Sequence, residues 1–417
     1  MVRVVAMLRA VWPPSTALRV LILTSLVRSL GTGVVVTVST LYFVRQVPLS
    51  PAEVGLALSC AAVAALLVGY PAGVLSDAIG ARRLSILSRV LCGASIVAYV
   101  VVRSFASLVV VAGLYAVLNA VGGTASSALV GTVLDPSERV QGRAVMRVVS
   151  NIGVSLGAVV AGLVLRADHA SVYDIALLGS GLASGGSALL YLKLPDRAAP
   201  ARAPHERPAN VLRDRPYLAV TALSAVLATN DALLFVALPL WISTRTHAPA
   251  WTYSSAVFLN AGLVIVLQIR LSRMASSIAG CARAMRWSGL ALAASCAVWG
   301  LCAGCSARVA VLLVMAGAVL HVLGELLQSA GSWGLSYDLA PAHACGQYQG
   351  LFGTGVQLAG VVTPAIAGGF LVRAGLPAWL LFAVALLAAG LLTPMVTGWA
   401  ERSRPAEVLA GDGALNG

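Results

Sequence analysis

Three ionisable side chains stand out inside long apolar runs: Arg28, Asp231 and Glu325. In a run that crosses a bilayer, each such charge costs about 2.5–3.5 kcal/mol at the centre on insertion scales, so its presence points to function. Glu325 has His321 one turn before it and Gln328 nearly one turn after it, on one helical face. Asn230 stands directly before Asp231. A secluded carboxyl with polar neighbours can load and release a proton. Tyr115, Asn119 and Thr124 form a second polar set within another apolar run. They can hydrogen-bond a solute or neighbouring helices, and the residues alone leave both open.

The elements that position these groups are membrane helices. The chain of 417 residues is 59% apolar and only 10% charged, with a mean hydropathy of +0.91. A soluble domain carries about 25% charged residues, so polar surface is too scarce here for a water-soluble globule. Apolar runs recur near 17–43, 52–76, 84–102, 106–132, 146–166, 171–192, 216–243, 252–272, 285–304, 308–334, 350–373 and 376–398. Each is long enough to cross ~30 Å of hydrocarbon. The expected fold is therefore all-α, with twelve transmembrane helices. Residues 1–192 form one six-helix bundle and 216–399 another, joined by a Pro/Arg-rich linker at 193–215 and followed by a tail at 400–417.

Charge sets the orientation. With the N-terminus inside, twenty-one of the 28 basic residues fall on the cytoplasmic side and six on the other, leaving Arg28. Both termini are expected in the cytoplasm of a cell-membrane protein. The halves also repeat. Leu41-Tyr42-Phe43-Val44-Arg45 answers Leu240-Trp241-Ile242-Ser243-Thr244-Arg245, and Gly80-Ala81-Arg82-Arg83 answers Gly280-Cys281-Ala282-Arg283. Both copies start on the same side, which makes them parallel repeats. The same shift carries Arg28 to position 228, less than a turn from Asp231. The two are expected at similar depths in opposite halves, with Arg28 countering Asp231 and leaving Glu325 to carry the proton.

Between the second and third runs stands Gly73-Val74-Leu75-Ser76-Asp77-Ala78-Ile79-Gly80-Ala81-Arg82-Arg83. This resembles the loop signature of the major facilitator superfamily. Gly73, Leu75, Asp77, Gly80 and Arg82 match it, whereas Ala78 and Ala81 replace residues that are usually basic. The resemblance implies two pseudo-symmetric six-helix bundles, with the first, fourth, seventh and tenth spans lining a central cavity. Arg28, Asp231 and Glu325 all fall on lining spans. It further implies a cytoplasmic gate built on Gly73, Asp77, Gly80, Arg82 and Arg83. Asp77 can pair with the arginines or accept from the N–H groups of a helix N-terminus. The second copy carries Ser277 where Asp77 would fall. Gly153, Gly157 and Gly162 resemble an element of the superfamily's drug–proton antiporters, with Ala158 in place of its proline; the same spacing serves helix packing.

The expected activity is secondary transport by alternating access: proton-coupled export of small amphiphilic molecules. The rivals are a proton-coupled nutrient importer and a non-transporting sensor or assembly protein. A small-molecule solute, protons and the lipid bilayer are the expected partners of a monomer. A pI near 10 suggests nucleic acid, but the charges sit in short clusters between spans. No phosphate-binding loop or nucleophile–base motif appears, so neither an enzyme nor a bound cofactor is expected. Cys302 and Cys305 lack a second pair or a nearby His, so no metal site is expected either.

Overall fold

A computed structural model describes residues 15–45, 47, 49–167, 169–196 and 210–404. Arg3, Arg9, Pro48, the 197–209 part of the linker and the tail beyond 404 lie outside the described residues. The described chain is almost entirely helical. Its long helices are α1 (Thr16–Arg45), α2 (Pro51–Ile79), α3 (Ala81–Ala98), α4 (Phe105–Val133), α5 (Pro136–Ala167) and α6 (Ala170–Gly186). Then come α7 (Arg215–Arg245), α8 (Trp251–Ser272), α9 (Ile278–Gly300), α10 (Ala307–Asp338), α11 (Cys345–Ala374) and α12 (Leu376–Arg402). Among the described residues, nine of these helices are long and apolar enough to cross a membrane. The exceptions are α6, which is short; α9, whose first half carries Arg283 and Arg286; and α11.

Local chemistry sets the helix starts. Ser50 opens α2 with a capping box: its Oγ accepts from the Glu53 N–H (3.2 Å), and the Ser50 N–H donates to Glu53 Oε2 (2.8 Å). Asp214 caps α7 through the Tyr217 N–H, and Ser277 caps α9 through the Gly280 N–H. Helix α5 begins at Pro136, ten residues before the predicted span at 146. A proline at a first turn loses no needed hydrogen bond, and Glu138 adds favourable charge there. Between α2 and α3 the chain turns at Gly80, whose φ of 95° suits glycine.

The chain divides into two compact units. The first holds residues up to Glu206 together with Ala342–Leu351; the second holds Arg207–Pro341 and the chain from Phe352. The opening turns of α11 thus belong to the first unit. In that unit α1 packs on α5 and α6, α2 on α4, and α3 on α4 and α6. In the second, α8 packs on α10, α9 on α10 and α12, and α12 on α7. The α3–α6 crossing brings Gly93 against the backbone at Gly181 and Gly185, and the α9–α12 crossing brings Gly289 against Gly390.

An aromatic cluster marks each unit at matching positions. Tyr42, Tyr99, Tyr115 and Tyr173 in the first correspond to Trp241, Trp299, His321 and Trp379 in the second, at shifts of 199, 200, 206 and 206 residues. The contacts correspond as well. Tyr42 and Tyr173 centroids are 5.7 Å apart and Trp241 and Trp379 5.9 Å; Tyr99 meets Tyr115 at 6.1 Å and Trp299 meets His321 at 5.3 Å.

Candidate functional site

The second unit builds a buried polar network around Glu325. This carboxylate lies in the interior of α10 and is only 5% exposed. Asn260 on α8 donates from Nδ2 to Glu325 Oε2 at 2.7 Å. On the other side, His321 Nδ1 lies 3.9 Å from the same oxygen. The far edge of the imidazole is held too, with Nε2 3.1 Å from the main-chain oxygen of Asn230. That oxygen only accepts, so the contact places a hydrogen on Nε2. Nδ1, which has no hydrogen-bond partner, then faces the carboxyl. Trp299 stacks on the imidazole, with ring centroids 5.3 Å apart and an interplanar angle of 27°. Its own Nε1 donates to the Val314 oxygen, and Trp241 Nε1 donates to the Trp299 oxygen.

Helix α7 is irregular where it meets this network. A π-turn runs from Leu233 to Ala237, directly after Asn230 and Asp231 and just before Pro239. Proline cannot donate to the ladder and clashes with the carbonyl one turn earlier, so a wider turn relieves the strain. Such bulges recur at functional sites. Asn230 is buried and donates from Nδ2 to the Leu227 oxygen, while Asp231 is exposed on the protein surface.

Gln328 donates to Ser332 at 3.5 Å, and the donor that reaches the Glu325 carboxylate from the packed neighbouring helix is Asn260. Sequence reasoning missed Asn260. The available signal was a polar face on α8 at helical spacing, with Asn260, Gln268 and Ser272 all buried.

The first unit holds the other groups. Arg28 on α1 and Arg89 on α3 line one narrow pocket with Thr32, Tyr115, Asn119 and Ser184. Thr124 is buried further along α4 and is not among the lining residues. Arg28 belongs to the first unit and Asp231 to the second, so each is placed within its own unit. Gly153 and Gly157 pack against the backbone of α1 at Leu26, Leu30 and Gly33, whereas Gly162 faces open space. Close helix packing therefore accounts for the first two glycines of the antiporter-like element.

The loop around Asp77 resolves the two alternatives left by sequence. Both carboxylate oxygens of Asp77 accept from backbone N–H groups at the start of α11, Gly346 at 2.6 Å and Gln347 at 2.9 Å. Arg82 turns elsewhere: Nε and Nη2 donate to the Tyr191 and Leu192 carbonyls at 3.0 and 2.9 Å, the free end after α6. Arg83 pairs with Asp196 at 3.2 Å on the surface. Gly73 makes the cap possible, because a Cβ there would fall on the Gly346 carbonyl. Cys302 and Cys305 donate weakly to main-chain carbonyls, and among the described residues no group of His, Cys, Asp and Glu could hold a metal ion.

The arrangement is that of an almost entirely helical membrane protein, and comparison with known proteins identifies its family. The family model described as Major Facilitator Superfamily matches residues 21–364. No curated protein matches the chain. Among solved structures, the human organic anion transporter MFSD10 (TETRAN) is similar over 91% of this chain and 100% of its own, at 16% identity and a TM-score of 0.66. A bacterial homologue of the iron transporter ferroportin, in an outward-facing state, is similar over 93% and 100%, at 16% identity and a TM-score of 0.69. The proton:xylose symporter XylE is similar over 94% and 95%, at 14% identity and a TM-score of 0.61. At these identities the likeness speaks for the fold alone. The family match spans most of the chain, which is a multi-pass membrane protein belonging to the major facilitator superfamily of secondary transporters.

Proposed function

We propose that this protein is a proton-coupled exporter of small amphiphilic molecules, working by alternating access, with Glu325 as the proton carrier. The observation that carries the reading is the placement of Glu325. It is a buried carboxylate in the interior of a spanning helix, hydrogen-bonded by Asn260 and faced by the Nδ1 of His321. Such a group is costly to keep in a membrane unless its protonation is used. In the proposed topology α1 to α12 are twelve spans in two parallel six-helix repeats, with both termini cytoplasmic, acting as a monomer in the cell membrane. Asp77 serves the cytoplasmic gate. Its two hydrogen bonds to the start of α11 give the gate a contact that can form and break. Proton-coupled import uses the same acid and differs only in direction.

The test is flux in proteoliposomes of the purified protein, with rhodamine 6G and 6-carboxyfluorescein as cationic and anionic amphiphilic probes. Movement of at least one probe that follows an imposed pH gradient is expected. Gradient-independent movement of both, or none of either, contradicts the proposal. The sign of the coupling separates export from import.

A further inference from the structure

Arg28 and Arg89 line one pocket, and among the described residues no carboxylate pairs with either. Arg89 is 3% exposed. Its guanidinium lies against α4 at Gly122, where a Cβ would collide with Nη2. Both side chains line the same pocket, so two like charges share it. Two like charges held together inside a membrane protein without a counter-ion are unfavourable. Around them stand hydrogen-bonding groups rather than acids: Thr32, Tyr115, Asn119 and Ser184. Arginine forks match the geometry of carboxylate and phosphate oxygens.

We infer that Arg28 and Arg89 receive the anionic head of the transported solute, a carboxylate or phosphate group on an amphiphilic body, in a pocket that is closed here even to a water-sized group and opens in the transport cycle. The inference rests on the transport reading and narrows its substrate class. Anion binding removes the Arg28–Arg89 repulsion, and the hydroxyl and amide groups complete the anion's hydrogen bonds. Without an anion the site is destabilised by its own charges, so binding stabilises the fold by mass action.

The experiment measures thermal stabilisation of the purified, detergent-solubilised chain by four matched probes: 4-butylbenzoate, 4-butylphenyl phosphate, 4-butylbenzamide and 4-butylbenzylammonium. At least one anion is expected to bind tenfold or more tightly than the neutral amide, and the better of the two identifies the head group. Arg89→Gln and Arg28→Gln should each weaken anion binding at least tenfold and leave the Tm of the ligand-free protein unchanged or raised. Gly122→Ala, which displaces Arg89 without removing its charge, should also weaken the anion. The inference is overturned if neither anion protects better than the amide. It is equally overturned if monodisperse Arg28→Gln and Gly122→Ala proteins bind the anion as the parent does. Binding without flux in vesicles counts against transport and leaves the anion site standing; gradient-driven flux with no preference for anions does the reverse.

Discussion

Asn260 donates its amide hydrogen to the Glu325 carboxylate at 2.7 Å, joining α8 to α10 inside the second unit. The bond makes Asn260 a positioning residue for the proposed proton carrier. Asn260→Leu should leave the buried carboxylate without its donor and lower stability by about 1 kcal/mol, a typical value for a polar contact between membrane helices. Gradient-driven flux should fall severalfold. Thermal unfolding in detergent and vesicle flux check the two effects separately.

The Asp77 cap on α11 predicts a local effect. Asp77→Ala removes both acceptors from the Gly346 and Gln347 N–H groups, a loss of about 1 kcal/mol by analogy with other helix caps. Hydrogen exchange of the peptide spanning these amides should speed up several-fold. Asp77→Asn keeps one acceptor and should give an intermediate rate. Unchanged exchange in both variants would remove the cap from the gate.

How much of this was readable in the sequence differs from residue to residue. Glu325 was legible because an acid inside an apolar run is costly to insert and stands out against its neighbours. The caps at Ser50 and Ser277 are local chemistry, set by residues three apart in the chain. Arg89 was not legible. It follows Arg82 and Arg83 at the start of a span, and by spacing alone it belongs with the arginines that set topology. Only the packing of α3 against α4 shows it buried. Asn260 was missed for a similar reason, since its partner lies 65 residues away. The choice between arginine and helix N–H as partner of Asp77 also needed tertiary contacts, because the carbonyls of Tyr191 and Leu192 claim Arg82.

Glycine substitutions should separate crossings from free surface. A Cβ at Gly289 would fall on the backbone at Leu386 and Gly390, whereas one at Gly162 meets nothing within 4 Å. Gly289→Val should therefore destabilise by about 1–3 kcal/mol, the usual range for overpacking. Gly162→Ala should leave the Tm unchanged. Equal effects at the two sites would contradict the packing.

Gln268 offers a prediction of the opposite sign. It is fully buried on α8, and neither atom of its side-chain amide has a hydrogen-bond partner. An unsatisfied buried amide costs about 1–3 kcal/mol. Gln268→Leu, similar in volume and one turn from the buried Val264 on the same face of α8, should hold or raise the Tm. A fall of several degrees would show that the amide has a partner.

The most direct measurement on the central claim is 6-carboxyfluorescein flux in proteoliposomes across an imposed pH gradient, comparing the parent protein with Glu325→Gln. The parent should move the probe in proportion to the gradient. Glu325→Gln should lose gradient-driven flux by at least tenfold while still binding the probe, because an amide cannot exchange the proton. Full gradient-driven flux in Glu325→Gln would contradict the assignment of Glu325 as the carrier.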